Sequence, residues 1–248
     1  ACPRCGAAIR WYDNIPVFSW IALGGRCRAC RAGIPIRYPL LEAACGLVLA
    51  LLALQHGLSI RFAALSWLAV SILILVPIDV KHGILPDRIT LPGLCVGLAL
   101  SFWDGEPTPF RAFMGAAAGG LVPLTVRALY MAWSRMRSGR LTTPELSEAP
   151  AVADAVEADE TAEMQREGMG LGDVKMLAMV GSFLGPSGAL LTMLLGSILG
   201  TLYVIPMVLT GRREMKSPIP FGPFLGVAGL AALFGGEELI RWYMTLLT

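Results

Sequence analysis

Between Pro39 and Leu247 the chain returns repeatedly to long apolar runs, at roughly 39–57, 61–78, 89–103, 110–133, 174–191, 189–209 and 224–247. Each approaches the ~20 residues that a bilayer requires of a spanning helix, or falls somewhat short of it. Lipid offers no partner to a backbone N–H or C=O, so spans of this kind fold as helices. The expectation is an all-α polytopic membrane protein with about seven transmembrane segments. Composition agrees: 55% of the 248 residues are hydrophobic and 15% are charged, whereas a soluble domain carries about a quarter charged. The net charge of +2 is no argument for nucleic acid, and none is expected as a partner; the bilayer is.

Residues 1–38 differ from the rest. They are basic and rich in Gly, Pro and Cys, and hold four of the six cysteines, as Cys2-Pro3-Arg4-Cys5 and Cys27-Arg28-Ala29-Cys30. One CxxC turn aims two thiolates at an ion, and two such turns close a tetrahedral site. Cys2, Cys5, Cys27 and Cys30 are therefore expected to hold a structural zinc. The segment is too poor in apolar residues for a core, so the metal would hold it together. Disulfides are the rival reading. Cys45 and Cys95 lie in apolar runs and read as core thiols.

Two expected domains follow: a cytoplasmic zinc-binding segment, 1–38, and a transmembrane helical domain, 39–248. Within the latter, 135–167 turns acidic and Ala/Thr/Pro-rich, too poor in large apolar residues to offset its ordering entropy, and reads as a flexible cytoplasmic linker. Gly115, Gly119 and Gly120 give the fourth run a small-residue face for close helix packing. Gly235-Gly236 is a candidate break in the last run.

Against this apolar background two carboxylates stand out. Asp79 closes the second run, where no helix cap is needed, and Asp173 ends the glycine-rich turn Gly170-Leu171-Gly172-Asp173. An acid at a lipid boundary is costly and is usually kept for a function. Asp87, just before the third run, reads as a helix cap, and His82 as a solvated side chain. Lys175 reads as a headgroup anchor, or as a bias on which aspartate holds a proton.

Threading seven spans puts residues 1–38, 79–88, 135–173 and 210–220 on one side. Arg4, Arg10, Arg26, Arg28, Arg31 and Arg37, then Lys81, Arg88, Arg135, Arg137, Arg140, Arg166, Arg212, Arg213 and Lys216, all fall there; the opposite side keeps Arg61, Arg111 and Arg241. The positive-inside rule makes the first side cytoplasmic, and Asp79 and Asp173 then share it. A reducing cytoplasm also favours metal over disulfides. Two adjacent carboxyls share a proton; the ionised one can activate water while the protonated one polarises a peptide carbonyl.

The ordered set Cys2-Pro3-Arg4-Cys5, Asn14-Ile15-Pro16-Val17, Gly25-Arg26-Cys27-Arg28-Ala29-Cys30, Arg37-Tyr38-Pro39-Leu40-Leu41-Glu42, Ile78-Asp79, Leu85-Pro86-Asp87, Thr90-Leu91-Pro92 and Gly170-Leu171-Gly172-Asp173-Val174-Lys175 resembles the bacterial type IV prepilin peptidases. Pro220-Phe221-Gly222-Pro223 looks like that family's late loop. The resemblance implies a GxGD intramembrane aspartic endopeptidase of the inner membrane, with Asp79 and Asp173 as the catalytic pair. Its substrates would be prepilins of type IV pili and pseudopilins of type II secretion, cut on the cytoplasmic side. It further implies N-methylation of the new terminus from S-adenosylmethionine, and zinc on the four cysteines. Gly25, Arg26 and Glu42 are candidates for contact with the methyl donor; Glu42 equally suits the positive end of the first helix dipole. Two departures stand. The family's opening membrane helix has no counterpart in this chain, which starts at Ala1 without an initiator methionine and is expected to lie within a longer protein. Gly25-Arg26 replaces the Gly-Lys of many members. The alternatives are a peptidase without methyltransferase activity and, from another class, a proton-coupled transporter using the two aspartates as a relay.

Overall fold

A computed structural model describes residues 1–138, 170–210 and 220–247. Its elements are a 3-10 turn Trp11–Asn14 and helices α1 (Phe18–Ala22), α2 (Arg37–His56), α3 (Ile60–His82), α4 (Asp87–Asp104), α5 (Pro109–Ser138), α6 (Leu171–Leu209) and α7 (Gly222–Leu247). No strand occurs among the described residues; one antiparallel bridge joins Arg26 to Gly33. The chain forms two compact units, Ala1–Leu73 and Ile74–Thr248.

All seven apolar runs are helical. Among the described residues five helices are long and apolar enough to cross a membrane: α2, α3, Pro109–Trp133 of α5, α6, and Gly222–Leu246 of α7. Two features separate these five helices from the seven apolar runs. Helix α4 has only 18 residues and opens with Asp87-Arg88. The runs at 174–191 and 189–209 form one 39-residue helix, roughly 58 Å of α-helix and about twice the hydrocarbon thickness. Gly185, at φ 74° and ψ −177°, bends it, with Pro186 next. The expected break at Gly235-Gly236 is absent, and α7 runs through both. Helix α5 continues to Ser138, past the expected linker start at 135; the rest of that linker, 139–167, lies outside the described residues, as do Arg212, Arg213 and Lys216.

In the first unit the two CxxC turns are built alike. Cys2 N–H donates to Ala7 O and Gly6 N–H to Cys2 O, both at 2.9 Å; Cys27 N–H donates to Ala32 O at 2.8 Å and Arg31 N–H to Cys27 O at 3.0 Å. The residue after each pair turns left-handed: Gly6 at φ 69° and Arg31 at φ 59°. Glycine adopts that region freely and arginine does not. Trp20 packs over Gly25, where a Cβ would sit 2.8 Å from the indole, and donates Nε1–H to Ile34 O at 3.0 Å.

The second unit is organised around the first half of α6, where every residue from Met179 to Phe183 is buried. The helix packs against α4, α5 and α7, and its hydrophobicity is not amphipathic. The expected small-residue face on α5 meets it: a methyl on Gly115 would collide with the Gly181 carbonyl, and one on Gly119 with that of Leu177. Gly120 makes only an ordinary contact, with Ala178 at 3.8 Å. Leu225, Ala228 and Ala232 complete the core from α7, while Phe110, Leu129 and Leu202 lie 75%, 71% and 69% exposed, as lipid-facing positions would. Cys45 is half-buried and Cys95 exposed, contrary to the core reading. An apolar run in lipid does not say which of its faces turns inward.

Candidate active site and metal centre

Asp79 lies in the last turn of α3 rather than in a loop, and Gly83 N–H closes that turn on the Asp79 carbonyl at 2.8 Å. Asp173 is the third residue of α6, after the cap Gly170, whose carbonyl accepts Asp173 N–H at 3.2 Å. The two residues are 5% and 7% exposed, and no other Asp or Glu whose burial is described is as buried. Each carboxylate faces a backbone N–H at a helix start, Asp79 that of Gly222 and Asp173 that of Gly170. The two acids lie 94 positions apart in the chain (173 − 79), and Asp173 sits within electrostatic reach of Asp79. Asp79 Oδ2 is buried with no hydrogen-bond partner.

The turn after α3 ties the two halves of the site together. Leu85 is buried and rests on Gly172, where a Cβ would sit 2.9 Å from its own Cβ. Two residues on, Asp87 begins α4 and accepts Lys175 Nζ at 2.6 and 2.8 Å. Asp87 is thus the partner of Lys175 as well as a first-turn acid, and Lys175 bridges to α4 rather than acting as a free anchor. Sequence reasoning weighed both residues and missed the pair. His82 is exposed, in keeping with its solvated reading.

The four cysteines converge. Their Sγ atoms all lie within 4.8 Å of one another, with Cys2 and Cys30 at 3.9 Å. Tetrahedral zinc at its usual ~2.3 Å Zn–S distance requires S···S edges of about 3.8 Å, so the cluster fits a single ion, and all four are free thiols. The N–H groups of Arg4 and Cys5 draw the Cys2 thiol down to about 6. Cys5, although the Ala7 N–H favours its thiolate, is pushed up to about 11 by the sulfurs of Cys2 and Cys30 that share its proton. One ligand is ready as thiolate, and a cation would displace the proton held by another. Arg28 clasps Asp13 at 2.6 Å, which holds the Asp13 carboxyl below its ordinary value, and stacks over Tyr12.

Two of the three candidates for the methyl donor, Gly25 and Glu42, have neighbours within the first unit. Gly25 is buried beneath Trp20. Glu42 lies beyond the first turn of α2 and accepts Val17 N–H at 2.9 Å, supporting a valine held at φ 62°. Arg26 is exposed.

A helical multi-pass membrane protein with two buried, mutually interacting aspartates at helix ends has the constitution of an intramembrane aspartic hydrolase. The family comparisons agree. Residues 1–56 match the bacterial peptidase A24 N-terminal domain and residues 62–205 the type IV leader peptidase family; the chain belongs to that family. Similar curated proteins are the prepilin leader peptidase/N-methyltransferases of Stutzerimonas stutzeri, 36% identical over 98% of this chain and 74% of that protein, of Aeromonas salmonicida strain A449, 34% identical with 98% and 74% covered, and of Pseudomonas aeruginosa, 35% identical with 98% and 74% covered. No solved structure matches the chain.

Proposed function

We propose that this chain cleaves the leader peptide from type IV prepilins and pseudopilins on the cytoplasmic side of the bacterial inner membrane, then methylates the exposed N-terminal amine from S-adenosylmethionine. The observation that carries the peptidase reading is the pairing of Asp79 and Asp173, buried and within each other's field, in a member of the leader peptidase family. Two like charges within each other's field disfavour double ionisation, so the pair would hold one proton between them. The ionised carboxylate removes a proton from water as its oxygen attacks the scissile carbonyl carbon. The protonated carboxyl donates to the carbonyl oxygen as the tetrahedral centre forms. On collapse the C–N bond breaks, the nitrogen leaves with a proton from the dyad, and the new carboxyl stays on the leader.

Cys2, Cys5, Cys27 and Cys30 would hold zinc, whose role there is structural: it cross-links two turns that have no core of their own. Residues 1–38 then form a cytoplasmic metal-bound segment ahead of a membrane domain, 39–248. The methyltransferase reading rests on the relatives' names and the family membership. The test is one incubation of solubilised enzyme with a prepilin and labelled S-adenosylmethionine, read by mass. Leader loss with one methyl gained is the expected result. Leader loss alone reduces the reading to a peptidase, and an intact substrate overturns it.

A further inference from the structure

The helix that follows the late loop does more than fill the core. Gly222 is the first residue of α7 and is buried. A Cβ built there would lie 2.5 Å from Asp79 Oδ2, 2.9 Å from its Cγ and 3.4 Å from its Cβ. The obstructed atoms belong to the Asp79 side chain, not to a backbone. Asp79 has a short stem and few rotamers, so its carboxylate cannot yield to a methyl without leaving its place. That carboxylate is 5% exposed as a residue, its Oδ2 has no partner, and the Gly222 N–H, one of the donors a helix start leaves unpaired, faces it. By contrast Gly235, on the same helix, has open space where its Cβ would be.

We propose that Gly222 is the positioning residue for Asp79: the missing side chain leaves the room the carboxylate occupies, and the first turn of α7 decides where that carboxylate sits against Asp173. This rests on the peptidase reading above and extends it to a third helix. Three helix ends then define the dyad: the C-terminal turn of α3 and the N-terminal turns of α6 and α7. A displaced carboxylate keeps its chemistry and loses its aim, and a misplacement of about 1 Å can cost about a hundredfold in rate.

The test compares Gly222→Ala with Gly235→Ala, each in the otherwise unchanged chain and in the Asp79→Ala chain, in detergent. Prepilin cleavage and thermal unfolding are measured for all, and methyl transfer to a leaderless pilin peptide for the Gly222→Ala chain. Gly222→Ala is expected to lower kcat by about a hundredfold with KM held within about twofold, while Gly235→Ala cleaves normally and the leaderless peptide is still methylated. Any fall in Tm caused by Gly222→Ala is confined to chains that carry the Asp79 carboxylate and vanishes beside Asp79→Ala, which relieves the collision. Normal kcat for Gly222→Ala overturns the inference, as does a fall in Tm that persists undiminished beside Asp79→Ala. In both of those cases the peptidase reading stands. If the unchanged chain itself leaves the leader on, the peptidase reading fails and the role of Gly222 in cleavage fails with it.

Discussion

Lys175 Nζ lies 2.6 and 2.8 Å from the two carboxylate oxygens of Asp87, joining residues 88 positions apart. One stands two residues after Asp173, the other eight after Asp79. With Leu85 seated on Gly172, the pair fastens the turn after α3 to the first turn of α6. The side chains are 37% and 53% exposed, and an exposed ion pair contributes at most about 1 kcal/mol. Asp87→Asn and Lys175→Met are therefore expected to lower kcat for prepilin cleavage by less than about tenfold. The exchange Asp87→Lys with Lys175→Asp should recover most of that loss. A collapse of activity in Asp87→Asn as deep as that of a dyad variant would move Asp87 into the chemistry.

Asp79→Asn and Asp173→Asn each remove the shared proton system, so either should lower cleavage by roughly three orders of magnitude. Membrane insertion and yield should not change, because an amide fills the same space. Leader release measured on gels and by mass decides the matter, and near-normal cleavage by either variant removes the dyad mechanism.

Stripping the metal should leave the cysteine turns without a tie. Zinc analysis of the purified chain is expected to return one ion per molecule, falling to none after chelation or in Cys27→Ser. Hydrogen exchange should then open the amides of Cys2, Gly6, Cys27 and Arg31, whose bonds close the two turns. The amides of Met179–Phe183 should stay protected, because their helix is held by α4, α5 and α7. An unchanged exchange pattern in the metal-free chain would assign the turns' stability to something other than metal.

Arg31 occupies the left-handed position that Gly6 takes in the first turn. A non-glycine residue pays roughly 1–2 kcal/mol there, part of which returns as the extra freedom of an unfolded glycine. Arg31→Gly should therefore tighten the second turn by about 1 kcal/mol, seen as up to about fivefold slower metal loss to a chelator. Faster loss would show that the Arg31 side chain contributes more than its backbone costs.

Much of this was legible in the chain alone. The apolar runs demanded helices because lipid cannot satisfy a backbone, and every one of them is helical. The CxxC spacing brought four sulfurs to one point because a two-residue turn has few geometries. GxGD and the lone acid at the end of the second run marked Asp173 and Asp79 because a carboxylate at a lipid boundary is rare. Other features depended on what lies across space. Hydropathy measures a residue's preference against water, and lipid and protein core answer it alike, so the exposure of Cys95 and the joining of the fifth and sixth runs into α6 were not legible. The partner of Lys175 belonged to a different helix, and no local rule connects residues 88 positions apart. The meaning of Gly222 was the space beside it, and a space exists only once α3 and α7 have packed.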